Sequence, residues 1–187
     1  MTPWEKAREA RRWWRELLPD EKMEDEKTRR PGNRAALARL RRAASPLEAA
    51  DQEETIDLVC RLGGDPQTLA PIAVCAAVLA HVRTEDTVPV ARRIGRPRGD
   101  PDQRPLVSPL RFRRFIQADT PEDMLIQFRR LVALADRTAN VTDLAAALLD
   151  WSEERKRDWI FRYYAGTPPD HENDAPTPQP ASEGAAP

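Results

Sequence analysis

The sequence predicts an all-α fold: a two-lobed helical bundle protein with a disordered, acidic and proline-rich C-terminal tail. Three observations support this prediction. Apolar residues recur at the helical spacing of i, i+3 and i+4 through most of the 187 residues. Residue pairs such as Thr2-Pro3 and Ser45-Pro46 are typical of helix starts. β-branched residues never alternate over a usable run, so we expect no strands.

Composition divides the chain into four predicted parts. Residues 1–90 form an N-terminal helical lobe, and residues 91–107 form an Arg/Pro-rich linker loop, in which 95–105 holds two glycines and three prolines. Residues 108–165 form a C-terminal helical bundle. Residues 166–187 have six prolines, four acids and no basic residue, and we expect them to be disordered.

The first two helices carry much of the positive charge. Thr2 and Pro3 begin a helix that runs to about Leu18, and a mostly acidic loop follows over 20–27. The segment 29–42 then has six arginines and no acid, which makes it the most densely basic part of the chain. Within it, Asn33 is the predicted N-cap of the second helix.

The middle of the N-terminal lobe is predicted to hold its core. One helix is expected from Ser45-Pro46 to about Leu62, with an acidic first half. The segment 67–82 is apolar nearly all round, so we place it at the centre of the N-terminal core. A short helix is expected over 88–94.

The segment 108–137 is predicted to form two short helices joined by an Asp-Thr-Pro turn. Each has an apolar stripe, and each has two adjacent arginines that lie off the stripe and should face outward. These pairs are Arg113-Arg114 and Arg129-Arg130. A further helix is expected after a cap at Asn140 or Thr142, and a last one after Ser152.

No catalytic, metal-binding or cofactor-binding motif is present in the sequence. Cys60 and Cys75 lie in apolar helical patterns and are predicted to be buried free thiols in a reducing compartment. The histidines, His81 and His171, belong to no catalytic pattern. Without an apolar signal segment or a run of about 20 apolar residues, we expect a cytoplasmic protein that contacts no membrane.

The net charge of −1 conceals a strong preference for arginine. Of the 30 basic residues, 26 are arginines, and the lysines are Lys6, Lys22, Lys27 and Lys156. A GC-rich genome favours arginine codons. Arginine is also the better residue for bidentate phosphate contact and for stacking on bases. Composition alone does not decide between these explanations.

Several segments, taken in order, resemble one known family. They are 108–116 (SPLRFRRFI), then Gln127-Phe-Arg-Arg-Leu131, Asn140-Val141, Asp150-Trp151 and Trp159 with Tyr163-Tyr164. This order and spacing resembles the CasB family, the small subunits of Cascade, the type I-E CRISPR surveillance complex. The N-terminal half fits more loosely, so the resemblance covers roughly residues 4–165.

The resemblance implies a non-catalytic, all-helical subunit in antiviral defence. Its expected partners are the backbone and large subunits of Cascade, a second copy of itself, the displaced strand of target DNA and, as a further candidate, guide RNA. The predicted nucleic-acid-binding residues are Arg34, Arg39, Arg41, Arg42, Arg111, Arg113, Arg114, Arg129, Arg130 and Arg137.

An alternative remains open from the sequence. The protein could be a helical interaction module whose arginines pair with acidic protein partners, or with its own acidic stretches at 20–26 and 48–57. The position of the arginines of 29–42 relative to those of 108–130 distinguishes these hypotheses. One continuous basic surface favours nucleic acid, whereas arginines that are each paired with Asp or Glu favour protein contacts.

Overall fold

The computed structural model describes residues 1–19, 32–95 and 104–165. Within these residues there are ten helices and two strands of two residues each. They are α1 Pro3–Leu17, α2 Arg34–Arg42, α3 Pro46–Ala50, α4 Glu53–Arg61, α5 Leu69–Leu79, β1 Thr84–Glu85, α6 Val90–Ile94, α7 Pro109–Ile116, α8 Pro121–Leu134, β2 Thr138–Ala139, α9 Val141–Leu149 and α10 Glu153–Ala165. The all-α prediction is confirmed.

Four predicted features lie wholly or partly outside the described residues. They are the acidic loop 20–27, the arginines at 29 and 30, the linker segment 96–103 and the tail 166–187. In the part of the chain that is described, no helix is long and apolar enough to cross a membrane.

The predicted helix caps at Thr2 and Asn33 are present. The Thr2 hydroxyl accepts from the Glu5 N–H at 3.2 Å, and the Glu5 carboxylate accepts from the Thr2 N–H at 2.6 Å, which forms a capping box. Asn33 accepts from the Ala36 N–H at 2.9 Å. Asn140, rather than Thr142, caps α9, since it accepts from the Asp143 N–H at 3.0 Å.

Helix α5 lies at the centre of the whole fold. Every residue from Ile72 to Ala80 is buried. Helix α5 packs against α2, α3 and α4 of the N-terminal half and against α8 and α9 of the C-terminal half. Burial of one Val, Leu or Ile side chain stabilises a fold by about 1.5–3 kcal/mol.

Burial raises the pKa of the Cys75 thiol to about 12. Cys60, in contrast, is exposed, so its predicted burial is wrong.

The two predicted lobes share one core. Helix α1 packs closely against α9, and the buried side chains of Trp13 and Trp14 belong to the same apolar cluster as those of Leu144 and Leu148. Helix α6 likewise packs against α10. Within the described residues, the two halves are therefore packed together. The domain boundary at 91–107 stays a prediction.

The predicted helix from 45 to 62 is two helices. The chain leaves the helix at Asp51 and is extended at Gln52 before α4 begins. A helix turns about 100° per residue, so a continuous helix would place Ala49 about 180° from Leu58 and about 140° from Leu62. All three side chains are buried, and the break in the helix allows them to face the same core.

Strands β1 and β2 form a parallel pair, so the expectation of no strands is wrong for these four residues. Thr84 pairs with Thr138, and Glu85 pairs with Ala139. The Arg83 N–H also donates to the Arg137 carbonyl at 2.8 Å. Two residues are too few to show strand alternation in a sequence. This pairing joins the end of the α5 segment to the end of the α8 segment.

The phenylalanines of α7 and α8 belong to an aromatic cluster in the core. Phe112 stacks on Tyr163 with ring centroids 3.8 Å apart, and Phe115 contacts Phe128 and Trp159 at 4.7 and 5.4 Å. This packing fixes α7 and α8 against α10. The arginines on the other faces of α7 and α8 are thereby set on rigid elements.

Asp143 connects three helices. Its carboxylate is buried, accepts from the Val90 N–H at the start of α6 at 2.8 Å, and lies 3.5 Å from Arg162 of α10. The first N–H groups of a helix have no partner inside the helix, so Asp143 satisfies one of them. Burial raises the pKa of Asp143, while the bond from Val90 and the charge of Arg162 act in the opposite direction.

We expect Asp143→Ala to lower the free energy of unfolding by about 1–3 kcal/mol, because it leaves the buried Val90 N–H without an acceptor. Asp143→Asn keeps an acceptor oxygen and should retain most of the stability. Urea unfolding followed by circular dichroism measures both. Equal stability of Asp143→Ala and the unaltered protein would contradict this account.

Candidate nucleic-acid interface

Four arginines from both halves of the chain lie near one another, and three of them lie around His81. The four are Arg41 of α2, Arg83 before β1, Arg129 of α8 and Arg137 before β2, and we call them the basic cluster. The charges of Arg83 and Arg137 both act on Arg41, and those of Arg41, Arg129 and Arg137 all act on His81. The predicted segments 29–42 and 108–137 thus contribute to one site.

Two members of the basic cluster are held in place by helix ends. The Arg41 guanidinium donates from Nε to the Ala80 carbonyl of α5 at 2.6 Å. The Arg129 guanidinium donates to the Leu40 and Ala43 carbonyls of α2 at 3.0 and 2.7 Å. The last carbonyls of a helix lack intrahelical partners and carry partial negative charge, so a cation is stabilised there.

The other two members are exposed. Arg83 and Arg137 reach solvent, and their backbones are joined by the hydrogen bond from the Arg83 N–H to the Arg137 carbonyl. Arg137 has a positive φ of 58°, an uncommon conformation for a residue with a side chain. The β1–β2 pairing therefore fixes the backbone positions from which these two side chains extend into solvent.

The cluster has an excess of positive charge. Among the described residues, no ion pair joins any of its four arginines to a carboxylate. Burial and the charges of Arg129, Arg41 and Arg137 lower the pKa of His81 to about 4, so His81 is neutral at pH 7. Burial, with the charges of Arg83 and Arg137, also lowers the pKa of Arg41. A bound anion would relieve this repulsion.

The remaining predicted arginines of α2 differ from one another. Arg39 pairs with Glu54 at 2.8 Å and donates to Gln52 at 3.1 Å, so it belongs to an intramolecular contact. Arg34 and Arg42 are exposed, and neither forms an ion pair within the described residues. Of the predicted N-terminal residues, only Arg41 is seen in the basic cluster.

The arginines of α7 and the second arginine of α8 form no contact with the basic cluster in the residues that are described. Arg111, Arg113 and Arg114 are exposed, whereas Phe112 and Phe115 of the same helix are buried. Arg130 is also exposed. Arg113, Arg114 and Arg130 therefore face outward, as predicted from their position off the apolar stripes, but they do not define a site by contact. The same prediction is wrong for Arg129, whose guanidinium is partly buried against the end of α2.

No sequence pattern singled out Arg83 or placed His81 among arginines. Arg83 is a single arginine after an apolar helix, with no basic neighbour in sequence. Its place in the cluster comes from the β1–β2 pairing, which brings together residues more than 50 positions apart. No local pattern signals such a contact.

The described residues contain no group of three His, Cys, Asp or Glu side chains that could hold a metal ion. The helices and the basic cluster define a small all-helical protein with a positively charged surface. The family model of the CRISPR-associated protein Cse2 matches residues 36–164, which is more than half of the chain.

The chain therefore belongs to the Cse2 family, the CasB small subunits of the type I-E Cascade complex, and the predicted family is confirmed. It is thus a subunit of a CRISPR complex, and the members of its family are structural subunits and not known enzymes. No curated protein and no solved structure matches the chain significantly.

A bound nucleic acid should raise the pKa of His81 from about 4 toward its ordinary value, because phosphates offset the charge of the surrounding arginines. NMR titration of the His81 ring, with and without a single-stranded oligonucleotide, measures this shift. A His171→Gln variant assigns the resonance. An unchanged pKa in the saturated complex would contradict binding at the cluster.

The same shift has a consequence for stability. A histidine whose pKa is lowered by folding contributes stability above its unfolded pKa of about 6.5, and this contribution is lost as the pH falls toward the folded value. His81→Gln should therefore reduce the loss of stability between neutral pH and about pH 4. Urea unfolding over this pH range measures the difference.

Proposed function

We propose that this protein is a non-catalytic small subunit of Cascade that uses the basic cluster to bind nucleic acid without sequence preference. In the assembled complex, the cluster holds the phosphates of the displaced non-target strand and so stabilises the R-loop. The strongest support is that four arginines from both halves of the chain lie near one another. Within the described residues, none of them is paired with a carboxylate.

The physical basis is the balance of strand exchange. An RNA–DNA heteroduplex is about as stable as the DNA duplex that it replaces, so small additional contacts to the open strands shift the equilibrium. About 1.4 kcal/mol changes an equilibrium tenfold. Two or three arginine–phosphate contacts are therefore enough to change the population of the R-loop strongly.

The charge distribution suits a subunit rather than a free DNA-binding protein. The net charge of the chain is −1, and several of its arginines are paired with carboxylates. Arg61, for example, is paired with Glu16 and Asp57 at 2.8 and 2.9 Å. We expect weak binding by the free chain, with the neighbouring backbone and large subunits, and a second copy of this chain, completing the surface. Arg34, Arg42, Arg111, Arg113, Arg114 and Arg130 remain candidates for these contacts.

A second function is favoured by one specific observation. Arg39 forms an ion pair with Glu54, within the acidic stretch 48–57. Such pairs are what a helical interaction module would show if its arginines served protein contacts. On that hypothesis the exposed arginines would bind acidic surfaces of other subunits. Loss of complex assembly, rather than loss of strand binding, would then follow from their substitution.

We expect the double variant Arg83→Glu/Arg137→Glu to shorten the lifetime of the R-loop at least tenfold, because each lost charge-assisted hydrogen bond contributes about 1.5–3 kcal/mol. Both side chains are exposed, and the hydrogen bond between the two residues is made by main-chain atoms. The fold should therefore be retained. The measurement is dissociation of the displaced strand from the assembled complex on target DNA.

The matched control is Arg104→Glu/Arg157→Glu, which makes the same charge change at two exposed arginines outside the cluster. A normal R-loop lifetime in the Arg83→Glu/Arg137→Glu complex would exclude the cluster from strand binding. Failure of that variant to enter the complex, with normal assembly of the control, would favour the protein-contact function.

A further inference from the structure

A second basic surface lies along α1, outside the predicted site. A groove of about 1230 Å³ runs between α1 and the segment 83–87, and the start of α9 closes one side. Its α1 wall consists of Trp4, Arg8, Arg11, Arg12, Trp14 and Arg15. None of these residues was predicted to bind anything.

The groove is positively charged in sum. Five arginines line it, whereas its acidic residues are Glu85 and Asp86. Glu85 contacts two of the arginines at once: Arg15 at 2.6 Å and Arg11 through both carboxylate oxygens, with Nη2 at 3.0 Å from Oε2. Burial acts to raise the pKa of Glu85, but the hydrogen bonds and charges of Arg11 and Arg15 outweigh it, so the pKa is lowered.

Trp4 is unlike the other tryptophans of α1. It is 47% exposed, whereas the side chains of Trp13 and Trp14 are almost completely buried. The Arg8 guanidinium lies over its ring at 6.0 Å from the centroid. An exposed tryptophan next to arginines combines a stacking surface with phosphate-binding groups, the two elements that proteins use to hold single strands.

The groove is continuous with the basic cluster. Arg83 lines the groove and also acts on Arg41 within the cluster. Helix α1 has 15 residues, so at about 1.5 Å per residue it extends the basic surface by about 22 Å. A strand held at the cluster can therefore continue along α1.

We propose that this groove binds single-stranded nucleic acid. Arg8, Arg12 and Arg83 contact phosphates, and Trp4 stacks on a base. Glu85 competes with phosphate for Arg11 and Arg15, and Glu9 competes for Arg12, with which it is paired at 2.6 Å, so the affinity of the free chain stays low. The inference rests on the proposed function in one respect, since it takes nucleic acid as the ligand, but it assigns a separate set of residues.

The test uses the purified full chain and a fluorescein-labelled oligothymidine, with affinity measured by anisotropy over a range of salt concentrations. Trp4→Ala should weaken binding about fivefold to hundredfold, the usual effect of losing one stacked base, without changing the salt slope. Arg8→Ala/Arg12→Ala should reduce the magnitude of the slope by about 1.4, from two contacts of about 0.7 each.

Substitution of Glu85 gives a result of opposite sign. Glu85→Gln should tighten binding, because Arg11 and Arg15 become free to contact phosphate. The matched control is Asp57→Asn, which removes one negative charge from a different arginine, Arg61, outside the groove. The control should change affinity much less than Glu85→Gln, since only Glu85 lies in the path of the strand.

Three outcomes would overturn the groove proposal. The first is normal binding by both Trp4→Ala and Arg8→Ala/Arg12→Ala, with weaker binding by Arg83→Glu/Arg137→Glu; the cluster would then bind strands without the groove. The second is normal oligonucleotide binding by the groove variants together with loss of assembly into Cascade, which would make the groove a protein contact. The third is no binding by the unaltered chain at low salt.

In that third case, the R-loop lifetime of the assembled complex still decides the proposed function separately. Thermal unfolding checks that each variant is folded. Trp4 is half exposed and Arg8 and Arg12 are exposed, so we expect unfolding temperatures close to that of the unaltered chain.

Discussion

The parallel pairing of β1 with β2 is the interaction on which the candidate site depends. It consists of two paired residues on each strand, extended by the hydrogen bond from the Arg83 N–H to the Arg137 carbonyl at 2.8 Å. Through it, the end of the central helix α5 is fixed to the end of α8. Arg129 adds a second connection, since its guanidinium holds the C-terminal carbonyls of α2. The basic cluster therefore forms only when both halves of the chain are folded together.

Local features of this fold could be predicted from the sequence, and long-range ones could not. The caps at Thr2 and Asn33 and the two helices of 108–137 depend on neighbouring residues, and all were predicted. Arg39 and Arg41 show the limit. They are two positions apart, yet one pairs with Glu54 and the other caps α5. Which partner each meets depends on how distant helices pack, and no spacing rule contains that information.

The molecule distributes its arginines between two uses. Some are neutralised by nearby carboxylates, as Arg61 is, and these contacts hold the fold together. Others, above all Arg83 and Arg137, are exposed without such a partner in the described residues. Under the proposed function, a net charge of −1 with a local excess of positive charge keeps non-specific binding by the free chain weak, and the neighbouring subunits complete the phosphate-binding surface.

Site-specific photocrosslinking in the assembled complex tests the central claim most directly. A photoreactive phenylalanine analogue in place of Thr84 lies next to Arg83 on the exposed surface and leaves all four arginines of the cluster intact. With target DNA bound, the account predicts crosslinks to the displaced strand that are lost when the strand is left out. Crosslinks to protein subunits alone, unchanged by target DNA, would contradict it.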